Sequence, residues 1–571
     1  MNKFKINIKY INLIIFLFGN LIIFLLSGED IFPQVLGSLP VNTPNYYKLH
    51  DSSEIFHKIN QGKKFPGWRQ FKRWDQFWDS RVDRNGNFPN GKKVFEEIQN
   101  YLKNKNISDK ILSVNQWHEL GPRTLYSNKD NPAFYGNGRI NCVRVMPDSS
   151  NIIWAGSASG GLWKSTDGGK SWADIPFTQF LSIGISDIQI SASNPSIIYA
   201  ATGDANGWQT SRCMSAGIIK STDRGYTWEL TKSYGIDSLE ITAKLAVHPL
   251  YSDVVLAAAS SGIIKTIDGG KNWYSVYSDE FVRDISFVND NPFILFAATH
   301  NFNGNSKILK STDMGETWTE NRIFDNANRI KLAISQLNGN KIYAICSDKS
   351  TGAFGGFFIS NNGGVSWDSL DVTINPEPNI TPDLVESQGF YNLSLEVTPV
   401  NDNTIFAGGV SCWKSTDGGY TWNSIQYGNS FGSALHFDIH DIYFNPSTLE
   451  LFCANDGGLF KSNDFGEDWI NLSSGLSITQ FYKFGSSILN GEVMFGGSQD
   501  NGMYRYRHGY WDFISSGDMM ETAVDYINPL NVYFIGPYGF LYRSLDGGET
   551  YKPSPIDGFS GAWVTPFLID P

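Results

Sequence analysis

Residues 415–422 read STDGGYTW, and versions of this phrase recur along most of the chain. The shared pattern is S/T-x-D-x-G-x-x-W, repeated at a period of roughly 45–55 residues. The third position of the eight copies is occupied by Asp167, Asp223, Asp268, Asp313, Asn362, Asp417, Asp464 and Asp546. An Asp side chain accepts hydrogen bonds from the backbone N–H groups just after it, and Gly supplies the positive φ of a tight turn. The pattern therefore predicts the same structural turn in each of a series of repeated units.

Strand-like runs surround each turn. A run ending in a basic residue precedes it, as in GGLWK and AGIIK, and another run lies further upstream, as in IIYAATG. One unit thus reads strand, turn, strand, Asp turn, strand, and the Trp can bury a large apolar face beneath the turn. Many short strands with one aromatic motif per unit are typical of a β-propeller. We therefore expect an all-β, multi-bladed propeller.

The spacing of the turn residues predicts the number of blades. Each gap is about one blade long, except that the last, from residue 464 to residue 546, is nearly double. Residues 491–514 keep the strand rhythm within that gap, with HGYW where the turn phrase would stand. The sequence thus predicts about nine blades, and WVTPFLIDP at residues 563–571 predicts the opening strand of a tenth. We expect a chain truncated within one ten-bladed ring; two tandem propellers, one of them incomplete, are the alternative.

The repeated phrases resemble the Asp boxes, or BNR repeats, of sialidase-type glycosidases, tandem-propeller xyloglucanases and the ten-bladed sortilin/Vps10 domain. The box is specific for the fold, but it says little about activity because it is usually a structural turn remote from the ligand. The resemblance to sortilin implies a binding module for protein, peptide or glycan.

Charge and cysteine content exclude several classes of protein. The net charge of −12 makes nucleic acid and anionic membranes poor partners. The sequence has no CxxC motif and no zinc-ligand spacing. We expect buried free thiols rather than a disulfide framework. The five cysteines are Cys142, Cys213, Cys346, Cys412 and Cys453.

The N-terminal region differs from the repeats. Residues 1–28 combine three lysines with an apolar stretch and small residues, which is typical of a secretory signal peptide; a retained anchor helix is the alternative. Residues 29–115 have helical spacing of aromatic residues and predict a small helical segment before a propeller at residues 116–571. GWRQFKRWDQFWDSRVDRNGNFP resembles the leader of Asp-box proteins secreted by Bacteroidota. We therefore expect a secreted or cell-surface protein.

The run HFDIH is the best candidate for a metal site. On a strand, His436, Asp438 and His440 would project from one face. Two imidazoles and a carboxylate are a plausible set of ligands for a divalent cation. A hydrogen-bonded polar face and direct ligand binding without metal are the alternatives.

Four Asp-containing loops follow strands and are separate from the repeated turns. They are TGDANG, ANDGG, SQDNG and SGD, and each could line one mouth of the central channel, where propellers bind ligands. Ordinary Asp-anchored turns are the alternative. The candidate ligand-binding residues are Asp204, Asp456, Asp500, Asn501 and Asp518.

Two comparisons argue against glycosidase activity. A sialidase clamps its substrate with three arginines, and Arg139 in GRI loosely resembles the first of them. Arg212, Arg283 and Arg329 lie in no recognisable arginine motif. A xyloglucanase would carry a catalytic Asp just before the GG of its first blade, where this chain has Ala158.

Three functions remain open. The leading interpretation is a secreted or cell-surface, sortilin-like propeller that binds protein, peptide or glycan, and this interpretation favours a non-enzyme without excluding a glycosidase. The second is a glycoside hydrolase that uses Asp438, Asp500 or Asp518. The third is a structural or adhesive surface protein. Two carboxylates facing each other across about 5–10 Å would favour the enzyme, whereas an apolar, aromatic tunnel would favour peptide binding.

Overall fold

A computed structural model describes most of the propeller region of the 571-residue chain. The signal sequence expected at residues 1–28 lies outside the described residues. Within the helical segment expected at 29–115, Tyr46, His50 and Glu96 are among the few described residues, and they are helical. The described ranges are 46–47, 50–51, 79, 82–87, 96–97, 100, 119–123, 136–179, 183–207, 215–234, 240–278, 280–302, 305–378, 380–430, 433–554 and 560–570.

The chain divides into two compact units. One comprises Met1–Val94 with Tyr234–Leu239, and the other comprises Phe95–Ser233 with Glu240–Pro571. Every described strand belongs to the second unit. The functional argument therefore concerns that unit alone.

Nine four-stranded antiparallel blades follow one another along the second unit. In blades 1 to 3 the strands are β1 Ile140–Met146, β2 Ser149–Ser157, β3 Leu162–Ser165 and β4 Ala173–Asp174; β5 Ile185–Ile190, β6 Ile198–Thr202, β7 Gly217–Ser221 and β8 Glu229–Ser233; β9 Thr242–Val247, β10 Val255–Ala259, β11 Gly262–Thr266 and β12 Tyr274–Ser278. A short helix, α1 Pro176–Gln179, lies between blades 1 and 2.

Blades 4 to 6 contain one extra strand, β21 Thr373–Ile374, which pairs in parallel with β25. A single pair, His300 with Arg329, also links blades 4 and 5 into one eight-stranded sheet. The strands are β13 Phe281–Val288, β14 Asn291–His300, β15 Ser306–Ser311 and β16 Thr319–Phe324; β17 Ala327–Ile334, β18 Ile342–Asp348, β19 Phe354–Ser360 and β20 Asp368–Leu370; β22 Ser394–Val397, β23 Ile405–Gly408, β24 Cys412–Ser415 and β25 Thr421–Ser424.

Blades 7 to 9 include the blade that lacks the repeated phrase. They comprise β26 Ile439–Phe444, β27 Leu451–Asn455, β28 Gly458–Ser462 and β29 Ile470–Asn471; β30 Phe481–Ser486, β31 Met494–Ser498, β32 Gly502–Arg507 and β33 Tyr510–Ser515; β34 Thr522–Val524, β35 Val532–Ile535, β36 Leu541–Ser544 and β37 Lys552–Pro553. A 3₁₀ helix, Pro537–Gly539, precedes β36. In blade 8, His508 and Gly509 at positive φ replace the Asp turn and join β32 to β33. The prediction of nine blades therefore agrees with the structure.

The repeated phrase folds into the turn expected from its residues. In blade 6, the Asp417 carboxylate accepts the backbone N–H of Thr421 at 2.9 Å and its hydroxyl at 2.6 Å. The Ser415 hydroxyl donates to Asp417 and accepts the N–H of Gly419, which has a φ of 99°. Trp422 lies under the turn with no exposed surface, and its indole N–H donates to the Gly419 carbonyl. The turn thus satisfies its own polar groups while it buries an aromatic ring.

Blades 1 to 7 close into a ring. The first strand of each blade packs against the first strand of the next, and β26 packs against β1. Across this last junction the Asp441 carboxylate accepts the N–H of Val143, and the Trp172 indole N–H donates to the Leu472 carbonyl at 2.8 Å. An apolar cluster shared by blades 1 and 7 fills the junction, and it includes Phe452. Closure therefore uses packing between complete blades, without exchange of strands.

The expectation of one ten-bladed ring is wrong, because the ring closes after seven blades, whereas a second propeller in tandem stays a prediction. Blades 8 and 9 pack against each other through β30 and β34, outside the closed ring. The repeat predicted the blades but not the closure, because each blade contacts mainly its neighbours and the phrase does not specify the angle between blades.

Residues 560–570 do not form the expected first strand of a tenth blade. Trp563 instead accepts the N–H of Tyr538 through its carbonyl, and the two rings lie 5.3 Å apart. Pro566 within the segment lacks an N–H group, which disfavours pairing in a sheet.

A belt of charged side chains lines the channel of the ring, one from each first strand. It consists of Arg144, Asp187, Lys244, Asp284, Lys331, Glu396 and Asp441. Arg144 bridges Asp187 at 2.9 Å and Asp441 at 2.6 Å, whereas Asp284 holds both Lys244 at 2.9 Å and Lys331 at 3.1 Å. Electrostatic interactions link Lys244 to Asp187 and Glu396 to Lys331 and Asp441. Opposite charges thus face each other between neighbouring blades around this charge belt, except where Glu396 of blade 6 meets Asp441 of blade 7.

Four cysteines lie in the described part of the chain, and all are buried free thiols; Cys213 lies outside it. Burial raises the pKa of the Cys142 and Cys453 thiols well above their ordinary value. Among the described residues, no helix is both long enough and apolar enough to span a membrane.

Candidate functional site

Four aspartates from two neighbouring blades converge at one mouth of the ring. Asp438 precedes β26, and Asp456 lies in the hairpin between β27 and β28. Asp500 lies in the hairpin between β31 and β32, and Asp518 lies between β33 and β34. Blade 7 of the ring and blade 8 outside it thus supply the carboxylate cluster Asp438, Asp456, Asp500 and Asp518.

The backbone aims these side chains by unusual local geometry. Asp438 has a φ of 64° and Asp500 a φ of 57°, in the left-handed region that Asp tolerates better than most residues. At Gly457 a Cβ atom would lie only 2.4 Å from the Cβ of His436. Only glycine lets the Asp456 hairpin approach the chain that carries Asp438 this closely.

The three inner carboxylates lie close enough to act as one unit. Carboxylate oxygens of Asp438, Asp456 and Asp500 lie within 4.8 Å of one another. The Gln499 amide donates to Asp500 at 3.1 Å, and the backbone N–H of Asp500 donates to Asp518 at 3.1 Å. The side chain of Asp500 also hydrogen-bonds with those of Asp456 and Asp518. Asp500 therefore connects the buried carboxylates to Asp518, which is partly exposed.

Burial and mutual repulsion separate the pKa values in the cluster. Burial, with the charges of Asp456 and Asp500, raises the pKa of Asp438 well above its ordinary value. Burial and the charge of Asp456 raise the pKa of Asp500 to about 7. Burial and the charge of Asp500 raise the pKa of Asp518 to about 6. Like charges at such short range cannot all ionise together, so the cluster holds protons near neutral pH.

A hydrogen-bonded chain supports Asp456 from the ring side. The Tyr391 hydroxyl donates to Asp456 at 2.7 Å and accepts from the Arg139 guanidinium at 2.7 Å. Arg139 forms a buried ion pair with Asp204, and His440 Nε2 donates to Asp456 at 2.6 Å. Burial raises the pKa of Asp456, and the charge of Arg139 with the hydrogen bonds from Asp500 and Tyr391 opposes that rise.

The structure brings together all five residues predicted from the loops. Asp456, Asp500 and Asp518 belong to the cluster, and the Asn501 amide donates to the Asp456 carbonyl at 2.9 Å. Asp204 joins through Arg139 and Tyr391. Tyr391 was missed because it lies in no motif. Gln499 lies in the SQDNG loop beside Asp500, but only the folded ring brings it next to Asp456.

The proposed His436–Asp438–His440 ligand set is not assembled. Strand β26 begins only at Ile439, and the pairing shifts between Ile439 and Asp441, so the expected alternation fails. His436 contacts the Phe437 carbonyl, whereas His440 binds Asp456. Burial lowers the pKa of both imidazoles, most strongly that of His440. The described residues that could hold a cation are instead Asp438, Asp456 and Asp500.

Arg283 and Arg329 lie near Arg139, although sequence motifs gave no sign of this. Arg283 donates to the Phe390 carbonyl at 2.8 Å, and Arg329 donates to the Tyr391 carbonyl at 3.1 Å. Arg283 is the third residue of β13, and Arg329 is the third residue of β17, so each has the same position in the first strand of its blade. This shared position is the feature of the sequence that could have predicted that the two arginines lie close together. Because they hold backbone carbonyls, they do not present an open clamp for a sugar carboxylate. Arg212 lies outside the described residues.

The apolar residue expected in blade 1 is indeed buried there. Ala158 has no exposed surface, and its backbone N–H bonds to the Arg139 carbonyl. In blade 7 the corresponding position after β27 holds Asp456, whose N–H likewise bonds to the carbonyl of Phe437 ahead of β26. A carboxylate is therefore present at this structural position, but in the last blade of the ring rather than the first.

Exposed aromatic side chains flank the cluster on the Asp518 side. The Tyr482 hydroxyl lies 3.4 Å from Asp518 and 3.5 Å from the indole nitrogen of Trp563. Trp563 and Tyr538 stack edge to face and are 45% and 57% exposed. Exposed rings of this kind offer flat, amphipathic faces to a ligand.

No family model matches the chain. Among curated proteins, the xyloglucanase of Hypocrea jecorina (strain QM6a) is 23% identical over 355 residues, covering 58% of this chain and 38% of its own length. The sialidase of Bacteroides fragilis (strain YCH46) is 22% identical over 467 residues, covering 71% of this chain and 77% of its own length.

Solved structures of similar fold include two GH74 proteins. The GH74 enzyme of Niastella koreensis is 18% identical with a TM-score of 0.54, covering 76% of this chain and 68% of its own. The GH74 xyloglucanase of Xanthomonas campestris is 14% identical with a TM-score of 0.56, covering 74% and 68%. The chain spans 32–38% of the length of the first three curated xyloglucanases that it matches. The fold is thus a β-propeller of the Asp-box (BNR-repeat) type.

Proposed function

We propose that the carboxylate cluster is the catalytic site of a glycoside hydrolase that acts on a polysaccharide. The row of carboxyl groups from Asp438 to Asp518, with separated pKa values, is the observation that carries this proposal. Glycoside hydrolysis needs one protonated and one ionised carboxyl group at the scissile bond. The similarity to named xyloglucanases supports a β-glucan of the xyloglucan type as the first substrate to test.

Asp500 and Asp518 fit the two roles best. With a pKa of about 7, Asp500 keeps its proton at near-neutral pH and would act as general acid. With a pKa of about 6, Asp518 is mostly ionised above that pH and would act as base or nucleophile. Asp438 and Asp456 are buried, whereas Asp500 and Asp518 are partly exposed and can contact a substrate. Asp438 and Asp456 therefore set the charge of Asp500 rather than attack the substrate.

The exposed aromatic pair would bind the sugar chain next to these acids. Trp563 connects to Asp518 through Tyr482, so a sugar ring stacked on its indole would lie beside Asp518. A polysaccharide substrate also agrees with a secreted or cell-surface protein, as residues 1–28 predict.

Hydrolysis of xyloglucan, other β-glucans and sialylated glycans, measured by release of reducing or acidic sugars, tests the proposal. We expect turnover of a neutral β-glucan with an optimum near pH 6–7, set by the pKa values of Asp518 and Asp500. Asp500→Asn and Asp518→Asn should each reduce kcat by about 10²–10⁴-fold. Asp371→Asn, at an exposed position, is the control. Glycan binding without turnover would instead favour a binding module, and absence of both would exclude a glycan function.

A further inference from the structure

A second feature of the ring lies on its central axis, apart from the carboxylate cluster. A cavity of about 40 Å³ is lined by residues from the first-strand region of all seven blades. The lining includes Arg144, Lys244, Arg283, Arg329 and Lys331, opposed by only two carboxylates, those of Asp187 and Asp441. The cavity is therefore strongly cationic, and it has room for a small ion with a water molecule or two.

Two of these cations have no carboxylate partner. Arg283 and Arg329 are each 6% exposed, and neither forms an ion pair within 4 Å with any described residue. Their donors meet neutral acceptors instead: both guanidinium groups share the Asn206 side-chain oxygen, at 2.7 and 3.3 Å. Neutral acceptors satisfy hydrogen bonds but not charge, and an uncompensated buried charge is strongly unfavourable.

The pKa values of the cationic lining residues agree with this shortage of negative charge. Burial lowers the pKa of Arg283 to about 10, and burial together with the charge of Arg283 lowers the pKa of Arg329 well below its ordinary value. Burial and the charge of Lys244 lower the pKa of Lys331 to about 8, against the opposing effect of Asp284. His440, another lining residue, has a buried Nδ1 atom without a hydrogen-bond partner.

We propose that this cavity binds a small monovalent anion, such as chloride, which neutralises Arg283 and Arg329. The bound ion would accept hydrogen bonds from the two guanidinium groups and lower the electrostatic cost of placing them together. Because both arginines hold carbonyls of residues 389–393, the ion would also stabilise the segment that presents Tyr391 to Asp456. The site is independent of catalysis, so its test does not require an active enzyme.

Thermal unfolding at constant ionic strength, with chloride replaced stepwise by gluconate, tests binding in solution. Gluconate is too large for a cavity of this volume. We expect Tm to rise by about 1–3 °C for each tenfold increase in chloride above the dissociation constant. Arg329→Gln and Arg283→Gln should each abolish this dependence. Arg224→Gln, which removes an exposed ion pair with Asp148, should retain it.

Bromide soaked into crystals of the wild-type protein gives a readout that does not depend on the folding of a variant. An anomalous peak within hydrogen-bonding distance of Arg283 and Arg329 would support the proposal. Absence of a peak in the cavity would overturn it. A chloride dependence of Tm that persists unchanged in both arginine variants would also overturn it, because the ion would then bind elsewhere.

Discussion

Tyr391 joins the ion pair of Arg139 and Asp204 to the carboxylate cluster. Its buried hydroxyl accepts from Arg139 and donates to Asp456. Tyr391→Phe should therefore leave two buried charged groups short of a partner and cost about 1–3 kcal/mol of unfolding free energy. Tyr343→Phe is the matched control, because its hydroxyl bonds only to the Asp402 carbonyl near the surface and should cost about 0.5–1.5 kcal/mol. Urea unfolding of both variants measures the difference, and equal losses would contradict the network.

For individual residues, the sequence predicted the aspartates of the carboxylate cluster better than it predicted the residues that hydrogen-bond to them. Asp456, Asp500 and Asp518 could be predicted because each follows a strand in a Gly-rich loop. Tyr391 could not, because it lies in no motif and contacts Asp456 from 65 positions away. Gln499 lies in the same SQDNG loop as Asp500, but its contact with Asp456, 43 positions away, forms only in the folded ring. The failure at HFDIH has a local cause, because the left-handed backbone of Asp438 interrupts the alternation on which the metal prediction relied.

At the scale of the element, the Asp turn and its Trp should contribute unequally to stability. Asp417→Ala removes an acceptor at an exposed turn and should cost about 1 kcal/mol. Trp422→Ala empties a buried position against Phe357 of blade 5 and should cost about 3–5 kcal/mol. Thermal melts beside a glycan-binding assay measure both effects. Binding lost without loss of stability would show that the turn is more than structural.

The segment 560–570 should act in substrate binding rather than in folding. Trp563→Ala removes an exposed ring near Asp518, and we expect KM for the polysaccharide to rise several-fold with kcat unchanged. Tyr226→Ala, which removes an exposed aromatic ring in blade 2, is the control and should change neither constant. A fall in kcat without a change in KM would place Trp563 in the chemical step instead.

At the scale of the whole molecule, the charge belt makes stability depend on pH. Burial raises the pKa of Glu396 to about 7 in the folded ring. The charge of Asp441 adds to this rise, whereas nearby cations oppose it. The native state therefore binds a proton that the unfolded chain releases near pH 4–5, and stability falls as pH rises from about 4.5 to 7. Glu396→Gln should remove the part of this fall that Glu396 contributes and leave the part due to Asp438, Asp500 and Asp518, whose pKa values are also raised. The variant should be more stable than wild type at pH 8 by about 1–3 kcal/mol. Urea unfolding from pH 4.5 to 8 measures it, with exposed Glu492→Gln as control. The same slope in both variants would assign the effect to another group.

The whole-molecule arrangement was only partly predictable. The repeated phrase, and the strand rhythm of residues 491–514, gave nine blades because each blade is encoded by its own segment. Closure after seven blades depends on how β26 meets β1, a contact between segments about 300 residues apart in which Asp441 reaches Val143. No feature of a single repeat encodes that angle.

Positive and negative charges cannot alternate perfectly around a ring that has an odd number of positions. Reading round the charge belt from Arg144, the signs alternate until Glu396 and Asp441, where two acids from blades 6 and 7 stand side by side. An even-membered propeller could avoid such a mismatch, whereas seven blades must contain at least one. A ring of seven blades therefore has one weaker junction, between β22 and β26. We expect hydrogen exchange of backbone amides to show that this junction opens before the junction between β26 and β1.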